Sequence, residues 1–406
     1  MRLAWVHSMR FLQRDGVYFG EALITHDIWR RYLRHFDQLL VIGRKAELST
    51  TLHTKYVKES SGPNVEFLLL DSINSPLEIL RKAKSVRHEL REALRDVDGV
   101  IARLPSEHGL AAIEVAIELG KPFAIELVGC AFDALWNHGD TKAKIYAPIM
   151  AMRVRRAVRK ARFVLYVTRE FLQRRYPATF EITNISNVEL PTSVAAISDV
   201  DLSSTAAQFQ IEQQGPKSIF TLGLAGALQN EYKGHATAFR AVQRLRSQGY
   251  AVRLRLLGMG APARWSELAQ RLGITESVQF DGVLPPGEQV FKWMNELDLY
   301  IQPSLTEGLP RALVEAMANG KPALASSAGG IPELLDPVCL HQPGDWKGLA
   351  AQIEQAMNAR DWLKLQGSRN KRVAAQYLAP VLDAKRFEFW SHFADHCREQ
   401  LLREAA

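Results

Sequence analysis

Short apolar runs and longer amphipathic stretches alternate along the first half of the chain. The runs "RLAWV" (2–6), "LLVIG" (39–43), "VEFLLL" (65–70), "GVIARL" (99–104), "PFAIELV" (122–128) and "FVLYV" (163–167) predict strands. Residues 74–95, 107–119 and 145–161 carry apolar positions at helical spacing. Continuously apolar strands separated by helices imply an α/β fold, with a parallel sheet covered on both faces.

The alternation pauses at 191–216, a stretch rich in Ser, Ala, Asp and Gln that reads as a linker and surface excursion. It resumes with strands predicted at 218–224, 252–258, 278–282, 297–303, 322–327 and 338–342. Helices are predicted between them at about 234–248, 263–272, 287–295, 310–319 and 345–358. A last amphipathic helix covers Asp383–Arg403. No internal repeat and no low-complexity tract is visible. The pattern predicts two doubly wound domains, 1–190 and 191–379, facing a central cleft formed by the C-terminal edges of their strands, where ligands of such sheets bind.

Length supports this division, because 406 residues exceed what one ordinary core accommodates. The three cysteines, Cys130, Cys339 and Cys397, are odd in number and far apart. They argue against a disulfide framework or a cysteine-rich zinc site and fit a reducing cytoplasm. The start "MRLAWVHSMRF" lacks the pattern of a signal peptide, and no apolar run is long enough to span a bilayer. A net charge of +7 biases the chain mildly towards anionic partners. The densest basic segment, Arg153–Arg162, reads either as a solvated helix face or as a patch for an anionic surface.

The most informative stretch is "QPSLTEGLPRALVEAMANGK" (302–321). A buried strand ends at Pro303, a turn carries Glu307, and Pro310 suits the first position of a helix that Asn319-Gly320 would stop. Amides at that helix start favour an anion. Spacing alone leaves two readings open. Glu307 caps the helix and Glu315 pairs with a nearby Lys or Arg, or the two carboxylates flank a ligand that carries a phosphate and several hydroxyls.

Further segments follow in order: "YKGHATAFRAV" (232–242), "LRLLGMGAP" (254–262), "ITESVQFDGVLP" (274–285) and "PSLTEGLPRALVEAMANGKPALASSAGGIPELL" (303–335). Together they resemble the retaining nucleotide-sugar glycosyltransferases of the GT-B fold, glycosyltransferase family 4. The resemblance covers about 217–345 and is looser in the first domain. It implies two Rossmann-like domains, the first binding acceptor and the second binding the nucleotide sugar, with a returning C-terminal helix (about 380–406) packed on the first. It also implies roles. Lys233 would hold the donor diphosphate, Glu307 would face the hydroxyls of the transferred sugar, and Glu315 would bind the ribose. The amides of Gly308 and Leu309, ahead of Pro310, would meet sugar or phosphate oxygens. Backbone near Gly258, Met259, Val283 and Leu284 would line the base pocket. No cofactor and no metal is implied: the two "DVD" stretches, Asp96–Asp98 and Asp199–Asp201, read as turn or surface aspartates. The family's reaction is a front-face attack in which the leaving phosphate oxygen takes the acceptor's proton.

The chain departs from the family pattern in three places. An arginine six residues before the lysine is replaced by Ala227. The histidine that often follows the fifth strand of the first domain is missing from "IELVGCAFDALWNHG", where Asp133 and His138 are the nearby polar candidates on the acceptor side. The N-terminal glycine loop is reduced to "RDGVYFG", in which Gly16, expected before a helix, would let backbone approach a phosphate.

"LWNHG" with the following basic helix, "VTREFLQRRYP" and "NISNVEL" resemble bacterial members that build capsular or exopolysaccharide chains. This implies a glycan or lipid-linked saccharide acceptor, a cytoplasmic enzyme with possible peripheral contact to an anionic membrane through Arg153–Arg162, and no nucleic-acid partner. Family frequency favours a uridine diphosphate donor. Two other functions share the fold. A sugar-nucleotide 2-epimerase needs acid/base side chains around the sugar, and no such cluster is visible. A non-catalytic donor-binding subunit is favoured by Ala227 and the missing histidine and opposed by Lys233, Glu307 and Glu315.

Overall fold

The structure is a computed structural model that describes residues 1–21, 24–46, 57–138, 141–191, 219–285 and 287–405. Of the expected linker only Pro191 falls among them, and the second "DVD" lies outside them. The chain packs as two compact units. One comprises Met1–Phe132, Ile145–Ile185 and Asp383–Ala406, the other Asp133–Lys144 and Ser186–Leu382. The divide thus falls near 185 rather than 190, and a twelve-residue piece of the first half groups with the second unit.

The described elements of the first half are β1 (Arg2–Arg14), β2 (Val17–Glu21), α1 (His26–Leu33), β3 (Gln38–Lys45), β4 (Val57–Glu59), β5 (Val65–Leu70), α2 (Pro76–Arg95), β6 (Gly99–Leu104), α3 (Glu107–Glu118), β7 (Phe123–Leu127), α4 (Ala131–His138), α5 (Thr141–Lys160), β8 (Phe163–Tyr166), α6 (Phe171–Arg175) and β9 (Glu181–Asn184). Parallel pairing runs β5-β3-β1-β6-β7-β8-β9. The sheet is buried on both sides, which is why β8 reads as an unbroken apolar run and β6 as one interrupted only by Arg103. The tail of β1 extends well beyond the predicted 2–6 and folds back as a hairpin with β2, which pairs in turn with β4.

That hairpin corrects the expectation for Gly16. Asp15 (φ 52°) and Gly16 (φ 78°) form the two-residue connection between Arg14 and Val17, so a strand follows Gly16 and not a helix. Asp-Gly supplies the two positive φ angles that such a turn requires.

The second half continues with β10 (Phe220–Ala225), α7 (His235–Ser247), β11 (Val252–Leu257), α8 (Ala263–Arg271), β12 (Val278–Gly282), α9 (Glu288–Asn295), β13 (Leu299–Gln302), α10 (Arg311–Ala318), β14 (Ala323–Ser326), β15 (Leu340–His341), α11 (Trp346–Met357), α12 (Arg360–Ala374) and α13 (Ala379–Ala405). Its strands are all parallel in the order β12-β11-β10-β13-β14-β15. The order reverses between β10 and β13, so the connections leaving these two neighbours go opposite ways and open a crevice at their C-terminal ends. Helices α7, α10 and α11 bury Phe239, Leu313, Met317 and Ile353 against the sheet.

From Asp383 onward, α13 belongs to the first unit. Trp390 and Phe393 are fully buried there, Trp390 edge-on to Tyr32 (ring centroids 5.5 Å apart) and Phe393 edge-on to Phe163 (5.4 Å). The "FEFWSHF" stripe is core.

Candidate functional site

The crevice of the second sheet is built from the loops that follow β10 and β13. After β10 the chain makes a 3-10 turn, Glu231–Lys233, and passes through Gly234 (φ 80°) into α7. After β13 it runs through Pro303 to the turn at Glu307. A Cβ on Gly234 would sit 1.9 Å from the carbonyl oxygen of Pro303, so only glycine lets the two loops approach this closely. The amide of Leu305 donates to the carbonyl of Tyr232 at 2.7 Å and locks them together. The stem of Lys233 lies over Gly226, where an added Cβ would meet Lys233 Cγ at 3.0 Å.

This packing sends the Lys233 ammonium to Glu307, with Nζ donating to Oε1 at 2.7 Å. The side chains are 19% and 8% exposed. The same oxygen accepts from Ser304 Oγ at 2.8 Å and from Gln302 Nε2 at 3.2 Å. Behind them the buried Tyr300 hydroxyl donates to Gln302 Oε1 at 2.8 Å. A third loop closes over the turn. Gly329 (φ 59°) would place a Cβ 2.0 Å from the Glu307 carbonyl oxygen, and the Gly330 amide donates to the Gly308 carbonyl at 2.8 Å. The glycines of "KG", "EG" and "GG" are therefore points of contact within one assembly.

Of the two readings left open by spacing, the structure divides the answer. Glu307 does not cap α10. Pro310, predicted as the first helical position, is instead the N-cap, one residue before the first helical residue Arg311, and makes no side-chain cap. Glu307 spends its carboxylate on Lys233 instead. Glu315, in contrast, does have an ion-pair partner one turn back, with Arg311 Nη1 3.7 Å from its Oε1. Burial raises the pKa of Glu315, and Arg311 opposes that rise. Leu309 packs against the core of this unit and Gly308 is half-buried.

Gly258 and Met259 follow β11, and Val283 and Leu284 follow β12, so all four lie at the same strand edge as Lys233. The Gly258 amide donates to the Gly282 carbonyl at 2.7 Å, and a Cβ at Gly258 would fall 2.0 Å from the Gly226 carbonyl oxygen. Met259 accepts from the Leu228 amide at 2.8 Å. Met259 and Val283 are exposed, and Leu284 packs on the core. Asp133 stands in the first turn of α4 and His138 at its end, within the segment that groups with the second unit. Gly16 lies in the other unit, in the hairpin described above.

The sequence reading missed His235. It is wholly buried against Trp265 (ring centroids 4.8 Å apart), and burial pulls its pKa down to about 4, so it is neutral at pH 7. A histidine following "KG" at a helix start was the available signal. The polar chain Tyr300–Gln302–Ser304 was also passed over, although Gln302 ends an otherwise apolar buried strand and Ser304 follows it two residues on. Ala227 offers no cation, and its carbonyl accepts from the Asn230 amide.

The basic segment in the first unit is less uniform than its charge suggests. Arg153 Nη1 pairs with Glu107 Oε2 at 2.7 Å and with the Tyr146 hydroxyl at 2.6 Å. Arg155, Arg156, Arg159 and Lys160 remain on the exposed face of α5. Asp98 of the first "DVD" accepts from the Arg2 amide at 2.7 Å, a structural role. Cys130, Cys339 and Cys397 are buried thiols.

Three comparisons bear on this arrangement. The family described as "Glycosyl transferases group 1" matches residues 219–359, the stretch that contains the crevice. Protein CapJ of Staphylococcus aureus is 32% identical over 378 residues, 93% of this chain and 92% of that protein. The amylovoran biosynthesis glycosyltransferase AmsK of Erwinia amylovora is 31% identical over 189 residues, 45% of this chain and 43% of its own length. Among solved structures, Anabaena Alr3699/HepE in complex with UDP superposes over 97% of this chain and 100% of that one, with a TM-score of 0.63 at 18% identity. The fold is that of the GT-B glycosyltransferases.

Proposed function

This chain belongs to the group 1 glycosyl transferases, and from that premise we propose that it is a retaining, metal-independent transferase that moves a sugar from a uridine diphosphate donor to a glycan or lipid-linked saccharide in cell-surface polysaccharide synthesis. The observation that carries the reading is the Lys233–Glu307 pair at the sheet's reversal point, beside the start of α7. The polysaccharide assignment draws on the AmsK relative, and the uridine nucleotide on the UDP bound by HepE.

In this reading the donor diphosphate lies at the start of α7, and its charge draws the Lys233 ammonium away from Glu307. The bond between the anomeric carbon and the diphosphate breaks. Lys233 and the positive end of the helix stabilise the negative charge that develops on the leaving oxygen. Glu307, released from the lysine, accepts hydroxyls of the transferred sugar, and Glu315 accepts those of the ribose. The amides of Gly308 and Leu309 meet donor oxygens, and backbone at Gly258, Met259, Val283 and Leu284 surrounds the base. The acceptor oxygen bonds to the anomeric carbon on the face the diphosphate leaves, and its proton passes to a diphosphate oxygen.

The test is release of UDP from a panel of UDP-sugars, with GDP-sugars as controls, in the presence of saccharide acceptors. The anomeric configuration of the product is read by NMR. Retention with UDP release supports the reading, and neither binding nor turnover of any nucleotide sugar ends it.

Among the described residues no helix is long and apolar enough to cross a membrane. Contact with an anionic bilayer would therefore be peripheral, through Arg155, Arg156, Arg159 and Lys160 of α5. Pelleting with anionic vesicles at low salt, lost at high salt and with neutral vesicles, is the expected result; equal pelleting in all three removes this part.

A further inference from the structure

Beside the Lys233–Glu307 pair the second unit holds an open pocket of about 460 Å³, within the range of about 300–1,000 Å³ typical of small-ligand sites. One wall is the segment Asp133–Lys144, which contributes Trp136, Asn137 and Lys144; the other is the loop before α7, with Gln229, Asn230 and Tyr232. Leu305 completes the rim.

Two features indicate what it takes. Trp136 is 48% exposed, so part of its indole faces solvent. Around it stand side-chain amides, which both donate and accept hydrogen bonds. The carboxylate on this wall, Glu231, is engaged by Arg264. An aromatic face ringed by amides suits a sugar ring, whose C–H face packs on the indole while its hydroxyls bond to the amides.

Position indicates which sugar. Tyr232 is shared with the donor crevice, since the Lys233 ammonium lies 5.3 Å from its ring centroid. Leu305, bonded through its amide to the Tyr232 carbonyl, is two residues from Glu307. Through Tyr232 and Leu305 the pocket adjoins the Lys233–Glu307 pair.

We propose that this pocket receives a saccharide ring of the acceptor, stacked on Trp136 and held through its hydroxyls by Asn137, Gln229 and Asn230. The inference rests on the transferase reading and moves the acceptor contacts from Asp133 and His138 to their neighbours on the same helix.

The experiment is saturation-transfer NMR on the full chain. The probes are methyl glycosides of glucose, galactose, N-acetylglucosamine and glucuronic acid, with UDP present. At least one glycoside should receive saturation from the wild type. Trp136→Ala should weaken that signal at least fivefold, Trp136→Phe should largely keep it, and UDP signals should be equal in all three proteins. Wild-type glycoside signals in Trp136→Ala, or none in the wild type, overturn the proposal. UDP failing to bind the wild type instead overturns the donor reading, and the glycoside signals report on the pocket separately.

Discussion

Lys233 Nζ donates to Glu307 Oε1 at 2.7 Å across 74 residues of sequence, from two loops that leave adjacent strands. Each partner compensates the other's charge in a place that water reaches poorly. Lys233→Met should therefore cost about 1–3 kcal/mol of stability, because Glu307 is left with neutral donors only. It should also abolish nucleotide binding. Glu307→Gln should leave nucleotide binding measurable and lower transfer on the order of 100-fold. In urea unfolding, the double variant should be more stable than Lys233→Met alone, a coupling expected between residues in direct contact. Equal midpoints for the two would show that the pair contributes no mutual compensation.

Glu315 offers the opposite balance between stability and binding. Burial raises its pKa, so over the titration window above the ordinary carboxylate value the folded state holds the proton more tightly than the unfolded state. Stability from this group is then greatest at low pH and declines as pH rises through the raised value. The ionised form is therefore a net cost to folding. Glu315→Gln should raise the melting temperature of the unliganded protein by about 1–4 °C while weakening UDP binding. A lower melting temperature would mean that the Arg311 pairing outweighs the burial cost.

Gly329 tests the packing of the three loops. A methyl group there would overlap the Glu307 carbonyl oxygen, at a φ of 59° that favours glycine. Gly329→Ala should move the Glu307 turn and reduce transfer more than tenfold, with a loss of about 1–3 kcal/mol in unfolding free energy. Gly273, also at positive φ but with open space around it, is the control, and Gly273→Ala should leave transfer intact. Equal transfer in both variants would contradict the close approach.

His235 makes stability sensitive to acid. Its folded pKa, about 4, lies below the ordinary 6.5. Between these values the unfolded chain binds the proton and the folded one does not, so stability increases with pH across the window and is lost as pH falls from 6.5 towards 4. The slope from this residue approaches about 1.4 kcal/mol per pH unit. His235→Phe, which keeps a ring against Trp265, should flatten the dependence of the urea midpoint on pH over this range. An unchanged slope would mean that His235 takes up its proton in the folded protein.

Much of the fold was legible. β5 and β6 begin and end where their apolar runs do. Elements that bury little were not: β2, β4 and β9 are short, and α12 buries few side chains. The Asp15-Gly16 hairpin signal was present and was read as part of a glycine loop. In the site, Lys233, Glu307 and Glu315 stood out because each sits in a motif. Trp136 and Asn137 did not, because their place beside Gln229 and Tyr232 depends on chain segments some 90 residues apart.

The order of apolar runs and amphipathic stretches determined by itself that the chain forms two α/β sheets with parallel cores, because burial on both faces demands apolar strands; the antiparallel β2 and β4 at the edge of the first sheet were not determined this way. The positions of Gly234, Pro310 and Gly329 determined where loops could turn or touch. Whether Glu307 would cap the helix or meet a lysine was decided only by tertiary structure. Glu307 answers Lys233 because the sheet's reversal between β10 and β13 brings two distant loops to one edge, whereas Glu315 meets Arg311 one turn away on the same helix. A linear pattern records periodicity and burial, but the partner of a buried charge depends on contacts between segments that the pattern does not order in space.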